Sequence, residues 1–167
     1  MNKKKPAKKL VAEYFKKCFL SVDGLWFVKV EEAFSFDTAL ELDVAVWKVL
    51  PKIEARTIKQ LLSLGNGVEN LRAAIEFKLA AEDYDYTIQP LASGGFKIHI
   101  GNCPWVNHIT KAGRAHLLDR IAEAICPVEY ETFAREFGHD IAMHHERKCC
   151  SPHCLCVYVF STTSGNL

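Results

Sequence analysis

The sequence predicts an α+β fold: N-terminal helices followed by a ββααββ unit with a mainly antiparallel four-stranded sheet. Three observations lead there. Apolar residues recur at helical spacing through the first half of the chain. The period changes to strict alternation in "YDYTIQPLASGGFKIHI", with Ser93-Gly94-Gly95 at its middle. A second alternating pair, "DIAMHHERK" and "CLCVYVFS", closes the chain after two further helical stretches. Two antiparallel hairpins with helices between them place those helices on one side of a single sheet.

Taken in order, a first helix spans roughly Pro6 to Ser21, with a stripe of Leu10, Val11, Tyr14, Phe15, Cys18 and Phe19. Asp23-Gly24 breaks it, and "LWFVKVEEAF" forms a second amphipathic stretch. Phe36 and Asp37 read as staple and N-cap of a long third helix, which Pro51 should kink or split. Gly65-Asn66-Gly67 ends it, and a fourth helix carries Val68, Leu71, Ile75 and Leu79. Pro90 gives the first strand an exposed edge or a bulge. After "NCPW" a helix runs from about Val106 to Ala124. Cys126-Pro127 then punctuates, placing Cys126 at the start of a short helix that stops at Gly138. The expected organisation is one α+β domain over residues 10–161, with a basic flexible tail at 1–9 and a loose tail at 162–167.

Composition narrows the function. The 167 residues carry a net charge of +1, so no broad basic face for nucleic acid is implied. The lysines near the start are followed by Glu13, Lys16 and Lys17, which interrupt any signal-peptide core. No run approaches the ~20 apolar residues of a membrane span. A cytoplasmic protein is expected, without nucleic-acid or membrane partners. The expected partner is a small-molecule ligand, and a homodimer is left open.

The seven cysteines are distributed unevenly. Cys18 sits in a helical stripe as plain core. Cys103, Cys126, Cys149, Cys150, Cys154 and Cys156 fall in the C-terminal half, at three chain turns. A reducing cytosol and an odd count argue against full disulfide pairing. Thiolates are soft ligands for zinc or for an iron–sulfur cluster. The candidate metal ligands are therefore Cys103, Cys126, Glu146, Cys149, Cys154 and Cys156, with His145 and His153 as further donors. Zinc is the expected cofactor, and an iron–sulfur cluster the alternative. The spacing lacks paired CxxC knuckles, so inert buried thiols and redox or catalytic thiols stay open. Cys103 with His99 or His108, or Cys149 with His145, would place a thiol beside a base.

The segments "DGLWFVKVEEAFSFDTALELDVAVW…ARTIKQL", "CPW", an isolated cysteine and a terminal C-x-Y-x-F strand together resemble the domain of unknown function family 6125, from about Tyr14 to Phe160. That family is similar in turn to the L-2-amino-thiazoline-4-carboxylic acid hydrolase family, which shares a CP…C…C-x-F layout. A more distant likeness is to four-vinyl-reductase-type ligand-binding domains. There a zinc is held by an upstream Cys and a Glu-x-x-Cys…Cys-x-Phe hairpin, matched here by Cys126, Glu146, Cys149 and Cys156, with Tyr158 as the aromatic. This chain lacks their glycine-rich run and has extra cysteines at Cys150 and Cys154, which leaves the ligands within the hairpin in doubt. Carried over, the first resemblance implies a pocket lined by Trp26, Glu31, Glu32, Asp43 and Trp47. Indoles and acids at helical spacing are also ordinary core and surface residues. Three functions follow as expectations: a metal-containing small-molecule binding or sensing domain, a metal- or thiol-dependent hydrolase of a small amino-acid-like compound, and an iron–sulfur accessory protein.

Overall fold

Four helices come first, and the strands follow in two pairs with further helices between them, as the changes of hydrophobic period require. The computed structural model describes residues 6–92, 94–148 and 156–163. The chain divides into two compact units, residues 1–40 and 41–167.

The first unit is dominated by α1 (Lys8–Ala33). It runs unbroken through Asp23-Gly24, where a break was expected. A glycine inside a helix costs only about 1 kcal/mol relative to alanine, which the remaining turns absorb. Near its end, Phe27 and Val30 pack with Ala39, Phe36 and Leu40. The cap of α2 (Phe36–Trp47) is Ser35 rather than Asp37: the Ser35 hydroxyl oxygen accepts the Thr38 N–H at 3.1 Å. With Ser35 as the cap, Phe36 is the first helical residue rather than a staple, and it packs edge-on to Phe27 of α1 at 5.6 Å.

In the second unit Pro51 does split the long helical pattern. It falls in the first turn of α3 (Leu50–Leu62), where its missing N–H costs nothing. Then come α4 (Val68–Ala81), β1 (Asp85–Pro90), β2 (Phe96–Asn102), α5 (Pro104–Lys111), α6 (Leu118–Arg135), β3 (Ile141–Arg147) and β4 (Cys156–Thr162). The strands form one antiparallel sheet in the order β1-β2-β4-β3, so Pro90 ends an edge strand.

One expected boundary moves. The helix assigned to Val106–Ala124 is two helices, because Gly113 at φ +74° ends α5 and the Arg114 N–H bonds back to the Ile109 carbonyl. The break expected at Cys126-Pro127 is absent. α6 runs through Pro127, and Cys126 is mid-helix. Leu118, Ile125, Tyr130 and Phe133 anchor both halves of α6 in buried positions, and that packing outweighs one lost backbone hydrogen bond.

Alternation gives the sheet two faces. Phe96, Ile98, Ile100, Cys156, Tyr158 and Phe160 point into a core shared with Ala55, Leu71, Ile75, Leu79, Phe133 and Phe137 of the helical half. Phe96 and Phe160 face one another across the register and stack at 5.0 Å.

Candidate functional site

The core face of the sheet carries polar groups as well as apolar ones. At β3 and β4, His145 pairs with Tyr158 in register, so both rings lie on the core face. They stack at 4.1 Å with 15° between planes. The register shifts between His145 and Arg147, where Glu146 is the extra residue of a bulge. Across this kink His145 Nε2 lies 2.8 Å from Cys156 Sγ, which is hydrogen-bond distance. Cys156 is buried, and the other ring nitrogen, Nδ1, is buried without a hydrogen-bond partner among the described residues. Burial, and then the charge of Lys148, pushes the His145 pKa down to about 4. The imidazole is thus neutral at ordinary pH and a weak base toward the thiol.

The neighbouring tyrosines tie the other cysteines to this place. Tyr130 of α6 lies 4.2 Å from Tyr158, ring to ring. Burial, followed by the charges of Cys126, Tyr130 and Cys156, holds the Tyr158 phenol far above its usual range. Tyr130 is raised by burial first, then by charges that include Glu129, Cys126 and Cys103. Cys103, the residue before α5, is raised by burial and drawn back by the N–H groups of Val106 and Trp105 and by Tyr84. Cys126 and Cys156 are therefore within electrostatic reach of one phenol, and Cys103 and Cys126 of the next. All four described cysteines, Cys18 included, are free thiols.

Not every expected ligand joins them. Glu146 lies on the open face of the sheet, paired with Lys97 at 2.7 Å, away from the Cys156 side. Cys149, Cys150, His153 and Cys154 lie outside the described residues. Among the described residues no three His, Cys, Asp or Glu side chains are grouped to hold a metal ion. The residues expected to line a pocket are divided between the units. In the first, Trp26 is exposed and Glu32 pairs with Lys29 at 2.6 Å, while Glu31 is half-buried. In the second, Asp43 is half-buried and Trp47 is buried, edge-on to Trp105 at 5.9 Å, a packing contact.

A charged cluster that the sequence reading passed over lies under the same sheet. Lys78 of α4 is 4 % exposed. Its ammonium is 3.0 Å from Glu54 of α3, 2.6 Å from Glu82 and 3.3 Å from Glu129 of α6. Burial alone would lower the Lys78 pKa, but Glu129, Glu82 and Glu54 together hold it well above its usual value. Three carboxylates against one ammonium leave excess negative charge in a dry place. Glu129 takes up the difference: burial pushes its pKa up to about 7, against the pull of Lys78. Its Oε1 is buried and, beyond the 3.3 Å ion pair with the Lys78 ammonium, has no partner among the described residues. A signal for this cluster was present in the sequence, since Lys78 sits beside Leu71, Ile75 and Leu79 on one helical face, with Glu82 four residues on.

A family model described as a family of unknown function, DUF6125, matches residues 3–161. No curated protein and no solved structure matches the chain, so the likenesses to thiazoline hydrolases and to four-vinyl-reductase domains find no support there. Among the described residues no helix is long and apolar enough to cross a membrane.

Proposed function

The chain belongs to the DUF6125 family, and from the site above we propose that it is a metal-containing domain that binds or senses a small molecule. The metal, zinc in this reading, would be held at the Cys156 end of the sheet. The observation that supports this is the direct contact of Cys156 Sγ with His145 Nε2 in a buried setting. A thiolate and an imidazole are two of the donors that a tetrahedral zinc accepts. Two donors do not make a site, and the described residues supply no third in the group. The remaining ligands would come from Cys149 and Cys154, which lie between β3 and β4 in sequence.

The test is metal content. Protein purified without oxygen should carry about one zinc per chain, and Cys156→Ser or His145→Ala should lose it while Cys18→Ser keeps it. Cobalt titration of the unaltered protein provides a second measurement, since thiolate-to-cobalt absorption reports cysteine ligands whether or not a variant folds. A folded, metal-free protein whose cobalt spectrum shows no thiolate bands would end this reading. A brown, iron-containing product would replace it with the iron–sulfur alternative. The hydrolase alternative would be favoured by a metal that keeps an exchangeable water.

A further inference from the structure

We infer that the groove between α3 and the C-terminal half of α6 is a second binding site, for a small organic anion with two or more carboxylate or phosphate groups. The groove has a volume of about 760 Å³, and its walls include Lys48, Lys52, Arg56, Thr132, Arg135 and His139. It is distinct from the thiol–imidazole end of the sheet. His139 precedes β3, whereas His145 stands near that strand's other end.

The charges in the groove are not balanced. Arg56 is committed to Glu136, with its Nε 2.7 Å from Oε2 and an Nη 3.1 Å from Oε1. Arg135 lies 3.9 Å from Glu131. Those two pairs consume the two carboxylates that line the groove. Lys48 and Lys52 are exposed and make no ion pair among the described residues. Lys52 and Arg56 stand one turn apart on α3, and Lys48, in the turn just before that helix, borders the same groove, so three basic groups line this side of it. Exposed lysines with no partner usually face only water. Here they face a concave wall bearing a hydroxyl, a guanidinium and an imidazole, so an anion entering the groove would meet donors from both sides. The overall charge of +1 gives no long-range field for a large polyanion, so the preference is for a small one.

Calorimetry with citrate and with tripolyphosphate at low salt tests this. At least one should bind saturably below ~10 mM, more weakly as salt is raised. The arm that binds assigns carboxylate or phosphate chemistry. Lys48→Glu with Lys52→Glu should weaken binding by more than ~10-fold with an unchanged melting temperature, because both side chains are exposed. Lys111→Glu, an exposed change on α5, should leave it intact. The proposal fails if neither anion binds, if the double variant binds like the parent, if Lys111→Glu weakens binding as much, or if only an extended acidic peptide binds.

Discussion

Lys78 shows how far a single side chain can depart from what its type suggests. Lysine is among the residues least often fully buried, yet here it joins α3, α4 and α6 through three carboxylates. Replacing the pair wholesale with apolar residues could be neutral, but removing one partner strands the others. Lys78→Met should therefore destabilise the protein by roughly 3–5 kcal/mol at pH 7.5, measured by urea unfolding. The loss should shrink at pH 4, well below the Glu129 pKa of about 7, where that carboxyl is protonated. An equal loss at both pH values would mean that packing rather than charge explains the effect. The residue scale also shows the cost of reading cysteines by count. Tyr158 and Cys156 are on the same strand face two residues apart, and that alternation was legible. The partner of Cys156 was not, because the bulge at Glu146 decides which imidazole reaches it.

At the scale of elements, the hairpin from β1 to β2 depends on Gly95. Its φ of +96° is a left-handed conformation, and an added Cβ would collide with the Phe160 carbonyl oxygen on β4. Gly95→Ala should cost at least ~2 kcal/mol through strain and sheet displacement, whereas Ser35→Ala at the α2 cap should cost only about 1 kcal/mol. Thermal melts of both variants check the order, and a Gly95→Ala loss no larger than that of Ser35→Ala would contradict it. The turn itself was legible as a Gly-Gly pair between alternating runs. The positions of Gly24 and Pro127 were misleading. A helix breaker acts against a local sum of propensities, and buried anchors on both sides of Pro127 change that sum.

For the molecule as a whole, Glu129 makes stability depend on pH. Its folded pKa of about 7 lies above its ordinary value of 4.5. Between those values the folded state holds a proton that the unfolded chain releases, so stability falls as pH rises through this window. The contribution is complete below pH ~4.5 and lost above pH ~7, an effect on the order of a few kcal/mol. Glu82 is raised with the same sign. Lys78, being raised from 10.5, loses its contribution only in strong alkali. Denaturant titrations at intervals between pH 5 and 8 should show this decline in the parent protein and a flatter profile in Glu129→Gln. A parallel decline in both proteins would assign it to other groups.

The sequence by itself determined the α+β class, the two antiparallel strand pairs and the glycine turns at Gly65–Gly67 and Gly94–Gly95. These follow from local periodicity and from φ/ψ preferences that act over a few residues. Only the tertiary structure decided that His145 meets Cys156, that Tyr130 and Tyr158 link Cys103, Cys126 and Cys156, and that Lys78 gathers Glu54, Glu82 and Glu129. The reason is distance along the chain. Glu54 and Glu129 are 75 positions apart, and their meeting is set by how α3, α4 and α6 pack against the sheet, where burial turns ordinary side chains into strongly perturbed ones.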